Sequence, residues 1–394
     1  MVISSDKSSS VPSQDLLAYL FNSTPRQPDH PLFIDAQHES RSLSWHQAHA
    51  MIRKIASGLL QKGVKQGDRV CIYSRNDIYY VPVVLGIIAA GAVAVPMPSS
   101  YSASEAADAL KDSTSSWIFA DPELADAEAA SMAGLDKSHV IHFDPRNHST
   151  GDTGTFFSSV IECGATEFAR VDPQTPALLL STSGSTGKPK LAVISHASLI
   201  AQQVVIDELG HHEKPYDVKW IWHQSQEHVR SFTWPLSAFR TGHPVHVVTG
   251  KHPEGISSAI RKHGITDALL VPGDVESLHK HLGPTGHDHV STLRHIYVSS
   301  EPIKGFHYQS FSKLLSKEAK IARLMGITEF IDSNGEDADN GPGELCLQAP
   351  SVFQGYYNDK EATQRAFTED GFYRTGDIMK FDPASKEYCY IKRQ

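Results

Sequence analysis

From Leu178 to His196 the chain reads LLLSTSGSTGKPKLAVISH. Apolar runs at residues 178–180 and 191–194 have the length and composition of strands, and the nine residues from Thr182 to Lys190 are too many for a tight turn. Those nine hold two serines, two threonines, two glycines and two lysines, with almost no bulk. Glycines let backbone N–H groups converge on one point, hydroxyls add donors, and Lys188 and Lys190 add positive charge. Such a loop suits a polyphosphate. It is not a Walker A loop, which needs glycine six residues before Lys188 and serine or threonine after it; Thr182 and Pro189 stand there. Nor is it a Gly-x-Ser-x-Gly nucleophile elbow, because Ser183 takes the place of the first glycine around Ser185. A serine/glycine linker shares the composition, but linkers are rarely bracketed so closely by apolar strands.

Outward from this hairpin, strand-like runs at 69–73, 92–95, 117–120 and 140–143 alternate with helical stretches at 44–62 and 103–112. Beyond it, 197–209 is helical, and 244–248, 256–263, 268–271 and 295–298 read as strand, helix, strand, strand. This rhythm predicts an α/β fold: stacked mixed or parallel sheets flanked by helices. From Gly343 the texture changes to short strands and turns, which predicts a small distorted β subdomain. The expected division is a loose tail over 1–30, a first α/β unit over 31–176, a second carrying the loop over 177–342, and a β-rich unit over 343–394. Residues 79–98 hold no charge in twenty positions, long enough to span a bilayer. A buried helix capped by Asn76 and ended at Gly91, followed by a strand over 92–96, accounts for the same residues.

At 394 residues the chain calls for two or three packed layers or subdomains, and 40% apolar with 21% charged residues is ordinary for a globular enzyme. A net charge of −9 offers no polycationic field, which argues against nucleic acid as a partner. Cys71, Cys163, Cys346 and Cys389 form no CxxC pair, against a disulfide framework or zinc ribbon, and fit a reducing, cytoplasmic setting. The first fifteen residues lack the apolar core of a secretory signal, and Lys392 to Gln394 are not a peroxisomal address.

Thr182 to Lys190 followed by Ser195-His196 resembles the phosphate loop of the AMP-forming adenylate synthetases, the acyl-CoA ligases, luciferases and peptide-synthetase adenylation domains. Three further blocks follow in the family's order: Gly343-Glu344-Leu345, Gly355-Tyr356-Tyr357-Asn358, and Tyr373-Arg374-Thr375-Gly376-Asp377. With similarity upstream in GIIAAGAVAVPMPSSY, the resemblance covers nearly the whole chain from Pro31. It implies carboxylate activation: an acid attacks the α-phosphate of ATP to give an acyl-adenylate and pyrophosphate, and a thiol, usually coenzyme A, takes the acyl group. By the same resemblance Thr182, Ser183, Gly184, Ser185, Thr186, Gly187 and Lys188 would hold phosphates, and Lys190 would act at the reaction centre. Asp377 would accept both ribose hydroxyls, since one carboxylate offers two oxygens; a turn-capping aspartate is the plainer reading. Ser299-Ser300-Glu301-Pro302 resembles the adenine-side loop, through Ser300. Gly326-Ile327-Thr328-Glu329 would place Thr328 near the adenylate phosphate and Glu329 on Mg2+. Only thirteen residues, Phe330 to Pro342, separate Glu329 from Gly343, fewer than the family has, so a piece is expected to be missing there; alternatively 327–332 belongs to the later strand and the Thr-Glu block is gone. The family continues past Arg-Thr-Gly-Asp into a hinge and a small C-terminal domain with a catalytic lysine, which are expected to be missing here; Arg393 is the candidate ribose-binding arginine, one residue out of step.

Of 22 histidines, His211, His212, His279, His281, His287 and His289 cluster without the spacing of a zinc helix and read as solvated loops. His228, fourteen residues before Gly242, lies close to where the family has a histidine lining the acyl site, and His223 competes for that role; a core histidine is an equal reading of each. Trp220, Trp222, Phe232 and Trp234 nearby suggest an apolar or aromatic acid. Three functions stay open: an acid:CoA ligase using ATP, Mg2+ and coenzyme A; a catalytically impaired nucleotide-binding remnant; and an adenylation module loading a phosphopantetheinyl carrier.

Overall fold

The computed structural model describes residues 10–121, 123–124, 126–142, 164, 166–182, 189–207, 214–225, 227–250, 252–299, 305–323, 326–327, 330–331, 342–382 and 387–393. The chain first lays down β1 (Pro31–Asp35) and β2 (Ser42–Ser44), then crosses the helix Trp45–Gln61 to a separate sheet. That sheet takes β3 (Arg69–Tyr73), β4 (Val93–Met97), β5 (Trp117–Ala120), β6 (Val140–His142), β7 (Pro176–Ser181) and β8 (Leu191–Ser195), in the order β6-β5-β3-β4-β7-β8. All its pairings are parallel except β7 with β8. Strands such as β4, buried at every position, explain why the sequence shows continuous apolar runs rather than alternation.

The chain then returns to β1. β9 (Trp220–Trp222), β10 (Val245–Val247), β11 (Asp267–Leu270), β12 (His295–Val298) and β13 (Lys320–Arg323) complete a seven-stranded sheet ordered β13-β12-β11-β9-β10-β1-β2, parallel but for β2. The two sheets thus cut across the expected division at residue 176: β1 and β2 belong with the later strands, β7 and β8 with the earlier ones. A period-2 pattern identifies a strand, while its neighbour is chosen by pairing across some two hundred residues.

The uncharged stretch resolves into the helix Tyr80–Ala89, buried throughout, and β4, and no helix of the described residues is long and apolar enough to cross a membrane. Asn76 does not cap that helix; its amide donates to Gln224 O (2.8 Å) across to the other sheet. Gly91 turns the chain at φ +79°. The expectation of a loose tail over 1–30 fails at the helix Leu16–Leu20, capped by Asp15, whose Leu16, Leu17, Tyr19 and Leu20 are buried. Leu16 N–H donates to His196 Nδ1 (3.1 Å), and Arg240 stacks 4.1 Å above the Tyr19 ring. The apolar cluster is too short to announce itself as a helix, and burial against partners far along the chain supplies the missing stability.

β14 (Gly326–Ile327) and β15 (Phe330–Ile331) form a two-stranded antiparallel ribbon. β16 (Gly343–Leu347), β17 (Tyr373–Asp382) and β18 (Glu387–Arg393) form the small antiparallel sheet expected after residue 343. Between β16 and β17, residues 354–357 run antiparallel along the open edge of β8: Gln354 N–H donates to Val193 O, Val193 N–H to Gly355 O and Tyr357 N–H to Leu191 O, at 2.8–2.9 Å. An edge strand is thereby covered, and the small sheet is tied to the β7–β8 hairpin.

Candidate active site

β7 and β8 pair down to Ser181 opposite Leu191, and two more bonds close the loop above them. Thr182 N–H donates to Lys190 O (2.8 Å), and Lys190 N–H donates to Thr182 Oγ1 (3.3 Å). Thr182 is buried and acts here as a clasp holding the ends of the loop together. The Lys190 ammonium lies 4.9 Å from the centroid of the Tyr356 ring. Tyr356 in turn packs on Phe353 (4.9 Å), and Phe353 on Tyr373 (5.3 Å), the first residue of β17. A continuous chain of contacts therefore joins the base of the loop to the Arg-Thr-Gly-Asp block.

That block is not a turn between elements. It is a bulge inside a ten-residue strand. Cys346 pairs with Arg374 and Glu344 with Ile378, so Thr375, Gly376 and Asp377 together face the single residue Leu345. Gly376 allows the excursion at φ +74°. Two backbone donors of the excursion find side-chain partners nearby. Gly376 N–H donates to Glu344 Oε1 (3.2 Å), Asp377 N–H donates to Thr375 Oγ1 (3.0 Å), and the Thr375 hydroxyl donates to Leu345 O (2.8 Å). Arg374 Nη1 donates to the other Glu344 oxygen at 3.0 Å.

The bulge presents Asp377 half-buried, and among the described residues no donor hydrogen-bonds to its carboxylate. Burial raises its pKa above the ordinary aspartate value, against the opposing charge of Arg393. Arg393 stands directly across the ladder from Asp377, its Nε 4.0 Å from the carboxylate. The β17–β18 ladder has an irregularity of its own: Ile378 pairs with Lys392 and Met379 with Tyr390, leaving Ile391 unpaired. A carboxylate held in place, partly desolvated and with its lone pairs uncommitted can accept two donors from a ligand.

At the far ends of β9 and β11 a second polar group collects. His223, buried, has Nε2 3.0 Å from Asp274 Oδ2, and Gln224 Nε2 donates to the same oxygen at 2.6 Å. Val271 N–H donates there also (2.9 Å), and although burial opposes it, the hydrogen bond from His223 leads the effects that lower the Asp274 pKa. His228 is placed differently: it precedes the helix Val229–Thr241 without a side-chain cap and is exposed, 3.9 Å from Glu227. Trp220, Trp222, Phe232 and Trp234 are all buried, with Trp220 5.7 Å from Trp234 and Trp234 5.2 Å from Tyr297. They pack within the apolar core.

Of the residues given a role at the site from the sequence, the structure describes Thr182, Lys190, His223, His228, Asp377 and Arg393. Ser183, Gly184, Ser185, Thr186, Gly187, Lys188, Ser300, Thr328 and Glu329 lie outside the described residues. Sequence reasoning missed Glu344, Thr375 and Asp274 as supporting groups. Asp274 could have been flagged as an acid in the first turn of the helix Pro272–Leu282; the other two depend on register alone.

The model of the family described as AMP-binding enzyme matches residues 20–331. The phenylacetyl-CoA ligase epaB of Aspergillus niger is 29% identical, over all of this chain and 80% of that protein. The acyl-CoA ligase azaF of Aspergillus niger is 28% identical, over all of this chain and 82% of that protein. Among solved structures, ATP-bound MatB from Rhodopseudomonas palustris superposes with a TM-score of 0.82 at 20% identity, covering 97% of this chain and 79% of that one, a likeness of fold.

Proposed function

The chain belongs to the AMP-binding enzyme family, and on that premise we propose that it joins an aromatic or arylacetic acid to coenzyme A through an acyl-adenylate. It is an ATP-dependent acid–thiol ligase of the acyl-CoA synthetase type. The observation that carries the nucleotide half of this reading is Asp377: a half-buried carboxylate, carried out of register with β16 by a bulge and without a hydrogen-bond donor among the described residues. Ribose, with two adjacent hydroxyls, matches it. The aromatic acid is supported by the name of the phenylacetyl-CoA ligase relative.

In this reading ATP enters with its ribose on Asp377 and its polyphosphate in the loop clasped by Thr182 and Lys190. Lys190 leaves the Tyr356 ring to meet charge developing on the phosphate; a cation over an aromatic face is held loosely, by about 0.5–2 kcal/mol, so the move is cheap. The acid's carboxylate oxygen attacks the α-phosphorus, the α–β bridging bond breaks and pyrophosphate leaves. The thiolate of coenzyme A then attacks the acyl carbon and AMP departs. We assign Glu329 as the residue that would hold Mg2+, which would supply positive charge to the phosphates. The acid is assigned to the ends of β9 and β11, where His223 rather than His228 is embedded. Unpaired cysteines and the absence of a long apolar helix among the described residues are consistent with a cytoplasmic reaction.

ATP–pyrophosphate exchange with a panel of aryl and arylacetic acids tests the proposal, followed by thioester analysis with coenzyme A and with a phosphopantetheinyl carrier. Exchange that depends on an aryl acid, and thioester on coenzyme A, is expected. A protein that binds ATP yet exchanges with no acid, alone or joined to the remaining fifth of the phenylacetyl-CoA ligase, would refute it.

A further inference from the structure

We propose that Glu344 is a positioning residue for nucleotide recognition: its carboxylate bridges the bulge in β17 and thereby aims Asp377 at the ribose. The inference rests on the reading of Asp377 as the ribose ligand and adds a second acidic residue that never touches the nucleotide. Opposite Leu345 the strand carries three residues where a regular ladder has one, and such an excursion would leave backbone donors unpaired. Glu344 answers this from the neighbouring strand. Oε1 accepts from Gly376 N–H, the residue immediately before Asp377, at 3.2 Å, and Oε2 accepts from Arg374 Nη1 at 3.0 Å. The carboxylate thus grips the bulge on both sides of Thr375, and Thr375 fastens the apex to Leu345 O and to Asp377 N–H.

The chemistry explains why an acid is needed. A glutamate presents two acceptors and no donor, matching one backbone N–H and one guanidinium. Its side chain is only 17% exposed, so the pair with Arg374 is partly shielded from water, although Arg374 itself is 47% exposed. Removing the carboxylate leaves the N–H of Gly376, itself at φ +74°, without that partner, and frees the strand to relax toward a shorter path that returns Asp377 to regular pairing with β16. Asp377 has no other hydrogen-bond anchor for its carboxylate among the described residues, so its aim depends on the backbone that carries it.

The test compares ATP with 2′,3′-dideoxy-ATP by calorimetry on the full chain, in the parent and in Glu344→Ala, Glu344→Gln, Thr375→Val and Asp377→Ala. In the parent ATP is expected to bind at least about tenfold more tightly than the dideoxy analogue, the worth of charge-assisted bonds to two hydroxyls. Glu344→Ala is expected to lower that ratio below about threefold while the dideoxy affinity stays within about twofold, and Thr375→Val to act in the same direction. Glu344→Gln, which keeps an acceptor for Gly376 N–H, should recover most of the ratio. A merely structural role would weaken both nucleotides equally, and that result overturns the proposal. So does an unchanged ratio in Glu344→Ala. If Asp377→Ala collapses the ratio and Glu344→Ala does not, the positioning role alone falls; if Asp377→Ala leaves the ratio intact, the ribose reading falls with it.

Discussion

Gly355→Ala puts the connection between the β7–β8 hairpin and the small sheet under a measurable load. Gly355 sits at φ +135°, far from any well that an L-residue prefers, at a cost of about 1–3 kcal/mol for alanine. Its new methyl would stand 2.6 Å from Thr363 Cγ2 and 3.1 Å from Oγ1, and relieving such overpacking typically costs about 1–3 kcal/mol more. Thr363 has little freedom to retreat: its hydroxyl accepts from Tyr356 N–H and donates to Asp359 O, both at 2.8 Å. The segment is held to β8 by three backbone bonds, worth about 0.5–1.5 kcal/mol each. Strain and attachment are therefore similar in size, and the segment is expected to peel from β8 with a loss of about 2–4 kcal/mol in urea denaturation. Freed from its place, Tyr356 no longer faces Lys190, and the KM for ATP should rise. Thr363→Ser removes Cγ2 and keeps both hydroxyl bonds, so the double variant should recover about 1–2 kcal/mol while the backbone strain persists. A loss below about 0.5 kcal/mol in Gly355→Ala, or no recovery from the serine, would refute the reasoning.

Asp377→Asn should weaken ATP about tenfold in calorimetry with little change in Tm, since a charge-assisted acceptor is lost at a half-buried site. Because burial raises the Asp377 pKa, the parent's ATP affinity should fall as pH drops, at a higher pH than an ordinary aspartate would give, and that slope should be missing in the asparagine variant. His196, buried and accepting from Leu16 N–H, has its pKa pushed down from 6.5 to about 4 by burial, partly offset by Asp15. The unfolded chain takes up that proton first, so stability is full above pH 6.5 and is lost as pH falls to about 4, by up to about 3 kcal/mol; urea titrations at pH 7 and pH 4 should show a smaller difference in His196→Gln. Lys214 pairs with Asp267, which is wholly buried, and three aromatic rings surround the ammonium at 5.5–5.9 Å. Lys214→Ala strands the carboxylate and should cost about 3–5 kcal/mol by thermal denaturation, whereas Lys214→Met with Asp267→Leu should lose much less; equal losses would show that packing rather than charge governs the site.

Much of the architecture was legible along the chain. The runs at 69–73, 117–120 and 295–298 are β3, β5 and β12, and 103–112 is a helix over those residues, because hydrophobic period and capping residues act over a few positions. Ser102 and Glu105 form a capping box that any reader of the sequence can find. The loop at 182–190 announced itself by composition, and Asp377 by the residues around it.

Register and depth were not legible, and they decided the site. Whether Thr375, Gly376 and Asp377 make a turn or a bulge depends on which residues of β16 and β18 lie beside them, thirty residues back and sixteen ahead. His223 and His228 look alike five residues apart, yet one is buried on Asp274 and the other exposed, because only the first ends a central strand facing the helix Pro272–Leu282. Leu16 to Leu20 read as part of a tail until His196 and Arg240 closed over them. Residue order alone determined the local elements and the nucleotide chemistry of this protein, since periodicity and donor density are properties of neighbours in sequence. The tertiary structure alone determined which carboxylate stands without a hydrogen-bond donor and which is bonded across the bulge, since pairing partners and desolvation come from residues that only folding brings together.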